Sequence, residues 1–202
     1  MSVDNPATMP AGGAPTAVQV LRRRFSVEQY HRMAEAGILA GDDRVELIEG
    51  EIVEMSPIGR LHAALVDRLL DLLMFALGRR VIIRVQGPIR LGSHSEPQPD
   101  LVVLRRREDF YAQALPGPDD VLLAIEVADS SLDFDRSVKV PLYARMGIPE
   151  AWVVDLIGEL VEVSRNPSPQ GYLDVRRVRR GESLSPAAFP DVSLSVTPEQ
   201  KC

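Results

Sequence analysis

Cysteine is almost missing from this sequence: the single thiol is Cys202, the last of 202 residues. No internal disulfide can form, which fits the reducing conditions of a cytoplasm. There is no Cys/His cluster, so nothing points to zinc. Aromatic residues make up only 5% of the chain. A cleft for an extended sugar is usually lined by aromatics, so a glycoside-cleaving carboxylate pair is disfavoured. No apolar run is long enough to span a bilayer, and no membrane contact is expected. Neither G-x-G-x-x-G nor Walker-type spacing occurs, which removes the glycine-rich phosphate loops, and no organic cofactor is indicated. Residues 1–20 have almost no charge and no periodicity, being rich in Ala, Pro, Gly and Thr. They read as a flexible tail. Without a basic start followed by an apolar core, they do not read as a secretory signal.

Positive charge is also in deficit: 23 Lys and Arg against 29 Asp and Glu give a net charge of −6. This counts against non-specific coating of DNA, which needs local positive charge. It is compatible with a metal site, because clustered acids lower the net charge. The basic runs Arg22-Arg23-Arg24, Arg105-Arg106-Arg107 and Arg176-Arg177 with Arg179-Arg180 read as solvated strand ends or loops.

What is present suits one domain over residues 21–202, 45% of the chain being hydrophobic. Ser26 and Gln29 form a capping box for a helix that runs to Gly37. Two alternating segments, Arg44 to Ile48 and Glu51 to Met55, flank Glu49-Gly50 as a hairpin. Ser56-Pro57 reads as the start of a helix with Leu61, Leu65, Leu69, Leu72 and Leu73 at helical spacing, ending at Gly78. Strands are expected over Val81 to Val85, Ile89 to Leu91, Asp100 to Leu104 and Val121 to Val127. Ser130 or Ser131 caps a helix toward Met146 in which Pro141 forces a kink or a late start. Ala151 to Asp155 is a further buried strand. Glu159 to Ser164 and Tyr172 to Val178 form a hairpin around a loop at 166–171. The order implies an α/β domain with a mixed central sheet flanked by helices and extra C-terminal β-hairpins.

Two acids stand out against this background. Glu126 interrupts the apolar run Val121 to Val127, which reads as a central strand covered on both faces. A carboxylate there is costly unless it is paired or binds a metal; a structural ion pair with an arginine would also serve. Asp100 follows Gln98-Pro99 at the start of another apolar strand, where a proline loses no ladder bond. It reads either as a turn aspartate or as a ligand at the mouth of the sheet. Adjacent strands lie about 4.8 Å apart. In a suitable register the two acids could hold one Mg²⁺ or Mn²⁺, acidifying a bound water and neutralising phosphate charge. Asp135, Lys139 and Tyr143 are spaced four apart and share a helix face. Lys139 makes either an exposed i,i+4 salt bridge or a contact with the acid cluster. Glu46, Glu49 and Glu51 are candidates for a third acid. His62 is a lone helix histidine, a type that is usually structural.

These residues resemble a known family. Arg44 to Ile52 is similar to its opening hairpin, His62 to the histidine that begins its first long helix, and Gln98-Pro99-Asp100 to its Pro-Asp motif. Ile125 to Ser131 is similar to its Glu-Val…Ser segment, and Asp135 to Trp152 to its longest signature. The family is the Uma-two group of restriction endonucleases, within the PD-(D/E)XK nuclease superfamily with a restriction-endonuclease-like fold. The resemblance covers roughly Phe25 to Val196. It implies Asp100 and Glu126 as metal ligands, Lys139 as the catalytic lysine, Glu46 as an accessory acid, and His62 and Asp135 as support. The superfamily lysine usually stands two residues after the glutamate. Ala128 holds that place here, so the resemblance implies a lysine moved to the following helix.

The expectation is a Mg²⁺- or Mn²⁺-dependent DNA endonuclease that hydrolyses phosphodiester bonds. Its alternative is an inactive nucleic-acid or protein interaction module on the same scaffold, suggested by the net charge and the displaced lysine. A homodimer is expected, with the hairpins after Trp152 as one source of interface.

Overall fold

Ser26 accepts the Gln29 N–H and Gln29 reaches back to the Ser26 N–H, closing the capping box of α1 (Val27–Glu35). The computed structural model to which this helix belongs describes residues 22–195. The segment expected as a tail lies outside the described residues. After α1 the alternating segments pair as β1 (Val45–Ile48) and β2 (Glu51–Glu54). Their two-residue turn puts both Glu49 and Gly50 at positive φ, the geometry that suits a tight hairpin. Gly50 is required for a second reason: a Cβ there would lie 2.5 Å from the Arg24 Cβ.

The leucine-rich helix α2 (Arg60–Leu77) begins later than the Ser56-Pro57 signal predicts. Its N-cap is Gly59, and residues 56–59 stay outside the helix. Leu65, Leu69, Leu73 and Leu77 form the buried row, while Leu61 is 73% exposed. The chain then enters β3 (Val81–Val85), β4 (Leu101–Arg105) and β5 (Val121–Ala128). Ile89 to Leu91, expected as a strand, belongs to no strand. Ile89 and Leu91 are buried, and their N–H groups bond to Pro97 and Ser95 carbonyls. These residues are apolar because they fill the core from a folded-back loop.

The helix expected from Ser130 or Ser131 toward Met146 has Ser131 at its start and is divided into α3 (Leu132–Phe134), a π-helical turn over Asp135–Lys139, and α4 (Val140–Arg145). Pro141 has no N–H, so the regular ladder cannot pass through it. The chain inserts one wide turn, in which the Val140 N–H reaches back to the Asp135 carbonyl. It then restarts with proline in the first positions of α4.

Strands β6 (Glu150–Asp155), β7 (Leu160–Ser168) and β8 (Gly171–Arg179) follow. The expected loop at 166–171 is shorter than predicted: both strands run on until only Pro169 and Gln170 remain between them. The sheet order is β3-β4-β5-β6-β7-β8, with β5 and β6 parallel and every other pair antiparallel. Alternation along β4 sends Leu101 and Val103 to the face covered by α2, and Val102 and Leu104 to the face covered by α4. The result is a mixed sheet flanked by helices with a C-terminal meander. No helix among the described residues is long and apolar enough to cross a membrane.

Candidate active site

Leu101 of β4 lies opposite Ile125 of β5. One residue further along the same antiparallel register, Asp100 falls opposite Glu126. A directly opposed pair shares one face, with Cβ atoms about 5 Å apart. Past the end of β4, the Val127 N–H has no strand to pair with. The Asp100 carboxylate takes its place, accepting that N–H at 2.8 Å through Oδ2. The same Oδ2 lies 3.1 Å from His62 Nε2 in the first turn of α2. The late start of α2 is what puts His62 at the rim. Its Nδ1 is buried and has no partner among the described residues.

Lys139 reaches the pair from the π-helical turn. Its Nζ lies 2.9 Å from Glu126 Oε1 and 3.3 Å from Glu46 Oε2. Glu46 is fixed from behind by the Gln98 N–H, 2.9 Å from the same Oε2. Asp135 accepts a 2.7 Å bond from the Ser131 hydroxyl. Tyr143, in α4, donates to Glu126 Oε1. Of Glu46, Glu49 and Glu51, the three candidates on the first hairpin, only Glu46 joins the cluster. Glu49 pairs with Arg145 and Glu51 with Arg22, both away from the cluster.

Glu46, His62, Asp100, Glu126, Asp135 and Lys139 therefore line one cleft of about 260 Å³. Its lining mixes apolar residues, Val53, Met55, Pro57, Ile58 and Phe134, with polar ones such as Arg44 and Asp129. The exposed i,i+4 pair that Lys139 could have made is not what forms: its side chain is 4% exposed and faces Glu126 and Glu46. Tyr143 and Gln98 are the contacts that residue spacing undervalues. Tyr143 is signalled by its place four residues after Lys139, and Gln98 by its place in the Gln-Pro-Asp segment.

The electrostatics are lopsided. Burial pushes the Glu126 carboxyl well above its ordinary pKa; Lys139 opposes this, and the neighbouring Asp135, Asp100 and Glu46 add to it. Burial also raises Asp135 against the pull of Lys139 and Ser131. For Asp100 burial is outweighed by His62, the Val127 N–H and Lys139, which hold it below the usual carboxylate range. His62 is raised by its bond to Asp100, with burial working the other way. Burial disfavours charge on Lys139, but Glu126, Glu46 and Asp135 keep it firmly protonated. Four buried acids thus face one buried ammonium and one imidazole, with Arg44, Glu54 and Asp129 also along the cleft.

This donor set is all hard oxygen, the kind that suits Mg²⁺ or Mn²⁺. Among the described residues no group of three or more His, Cys, Asp or Glu side chains is disposed to enclose an ion. The fit is therefore to a cation held by one or two carboxylates that keeps several waters, the habit of Mg²⁺. On Glu126 the close contacts end on Oε1, while on Asp100 they fall mainly on Oδ2, with Oδ1 accepting only a long 3.4 Å bond from the Gln86 amide.

A six-stranded mixed sheet flanked by helices, with an acid pair across the start of β4 and the last residues of β5, puts the chain among the α/β proteins. The chain is similar to a solved structure from Anabaena variabilis ATCC 29413, described as a putative nuclease belonging to DUF820. The two share 15% identity, the match covers 85% of this chain and 95% of that one, and the TM-score is 0.66. At that identity the likeness is one of fold. The chain belongs to the family described as "Uma2: Putative restriction endonuclease", whose model matches residues 27–197. No curated protein matches it.

Proposed function

We propose that this chain is a metal-dependent DNA endonuclease, acting as a homodimer, with Asp100 and Glu126 as cation ligands and Lys139 and Glu46 completing the centre. The observation that carries this reading is the opposed acid pair at the end of β4 and β5, set in a cleft whose acids outnumber its cations. When bound, Mg²⁺ or Mn²⁺ supplies Lewis-acid stabilisation of phosphate charge and makes water more acidic.

The protein's own residues supply the rest. Lys139 is held protonated, so it acts as a charged donor and not as a base. From beside Glu126 it can orient the attacking water or stabilise negative charge on the phosphate oxygens. Glu46 fixes Lys139 from the hairpin side. His62 orients Asp100, and Asp135, anchored by Ser131, adds to the field that keeps Lys139 charged.

The test is nicking of supercoiled plasmid with Mg²⁺ or Mn²⁺. Activity that persists in Asp100→Ala or Glu126→Ala would overturn the mechanism. One observation favours a second reading, an inactive binding module: the acids are already engaged by His62, Lys139 and Tyr143, and no three-residue cage is disposed around an ion. DNA binding without cleavage, together with no Mn²⁺ uptake in calorimetry, would select that reading.

A further inference from the structure

The sheet ends on β8, whose outer edge has no strand beside it among the described residues. Among the described residues, no backbone bond outside the β7 ladder involves Tyr172 to Val178. Open edges are usually short, or guarded by charged side chains, proline or a bulge, and β8 carries charge of both signs. This one is 9 residues long and leaves Leu173 and Val175 73% and 63% exposed.

Its sequence is complementary to itself. A two-fold axis normal to a sheet makes some residue of an antiparallel edge pair face its own copy, because side chains must keep their face. With Val175 at that centre, Asp174 faces Arg176 of the second copy, and Arg176 faces Asp174. Leu173 then faces the aliphatic stem of Arg177, and Tyr172 faces Val178. Moving the centre to Asp174 opposes two carboxylates, and moving it to Arg176 or Arg177 opposes two guanidiniums. Like charges directly opposite are destabilising. Asp174 already accepts a bond from Asn166 through Oδ2, which leaves Oδ1 for the arginine.

We propose that β8 is a two-fold interface between copies of this chain, paired antiparallel about Val175 and joining two sheets into one. The charge pattern selects the partner: an unrelated strand has no reason to present an arginine to Asp174 and an aspartate to Arg176 in the same register. The interface is independent of the cleft chemistry, since none of its residues lines the cleft.

The experiment is sedimentation of the full chain across a range of concentrations, for the natural sequence and four variants. The natural chain is expected to dimerise. Asp174→Arg alone and Arg176→Asp alone each replace two attractive pairs by two repulsive ones. Each should weaken the dimer on the order of tenfold. The double exchange Asp174→Arg/Arg176→Asp should restore it to within about threefold. Val175→Lys, at an exposed position that leaves folding intact, should abolish it by opposing two ammonium groups. A natural chain that stays monomeric throughout overturns the proposal. So do single exchanges without effect, or a double exchange that restores nothing. Nicking assays on the same samples report separately on the nuclease reading.

Discussion

On β6 and β7 the buried acids meet arginines; around β4 and β5 they do not. Glu150 is fully buried, yet it accepts from the Trp152 indole at 2.8 Å, the Arg165 guanidinium at 2.8 Å and the Ala187 N–H. Glu162 is clasped by Arg136 and Arg177. Asp155 takes Arg136 and the Gly158 N–H. In the cleft, by contrast, Glu46, Asp100, Glu126 and Asp135 share Lys139 and His62. Arg136 grips both oxygens of Glu162, while Glu150 and Asp155 each divide their two oxygens between an arginine and a backbone N–H. One ammonium among several acids leaves charge uncompensated. The first arrangement is complete as it stands, whereas the second is stable only at a cost that an incoming cation would remove.

The sharpest way to break this contrast is to delete one acid from each region. Asp100→Ala or Glu126→Ala should lower plasmid nicking by about a thousandfold or more, since metal-assisted stabilisation contributes several kcal/mol. The fold, followed by circular dichroism, should persist. Glu150→Ala should do the reverse. Leaving Arg165 and the Trp152 N–H without their acceptor should cost about 3 kcal/mol in urea unfolding.

Cation binding sharpens the comparison next. Mg²⁺ at about a hundredfold over its Kd should stabilise the chain by about 2.7 kcal/mol, and the gain should vanish in Glu126→Ala. A stabilisation that survives in that variant would place the cation elsewhere. Neutralising one acid in each region carries a smaller effect of opposite sign. Without metal, Glu126→Gln should stabilise by about 1 kcal/mol, as substitutions at functional sites often do. Glu162→Gln should destabilise by about 1 kcal/mol or more. Equal signs would mean the two regions follow one rule.

The smallest expected effect is on pH dependence. The folded pKa of Glu126 lies above its ordinary 4.5, so the native state holds a proton that the unfolded chain releases. Metal-free stability therefore falls as pH rises from about 4.5 through the raised value. His62 adds in the same direction at higher pH. Its stabilising bond to Asp100 is fully present below 6.5 and is lost as pH rises through the raised folded value. Asp100 acts in a separate acid window, its contribution present above 3.8 and lost as pH falls through its lowered value. Urea midpoints measured from pH 5 to 8 should decline, and less steeply in Glu126→Gln.

Much of this architecture is legible in residue order. The Ser26 capping box, the Glu49-Gly50 turn and the continuous apolar runs of β4, β5 and β6 each follow from a local rule. So does the prominence of Glu126, because an acid in such a run needs a partner. What local rules miss has local competitors. Ser56-Pro57 carries a helix-start signal, yet the helix waits for Gly59 while the intervening residues line the cleft. Ile89 and Leu91 are apolar for burial and not for pairing. Pro141 announces a disturbance, but its resolution as a wide turn depends on the tertiary contacts of Asp135 and Lys139. The inward aim of Lys139 is likewise invisible in spacing, since an outward pair with Asp135 has the same i,i+4 signature.

The wide turn over Asp135–Lys139 acts as a phase shift between two helical runs. Asp135 lies at its start, Lys139 at its end and Tyr143 one step beyond, and all three belong to the surroundings of Glu126. Deleting one residue between Asp135 and Lys139 would take out the wide turn, with the missing donor at Pro141 still in place, and leave the sheet untouched. It would also swing one run against the other by about 100°, out of common register with the acids. A lineage could silence this centre by losing a single codon and keep everything that makes the molecule fold.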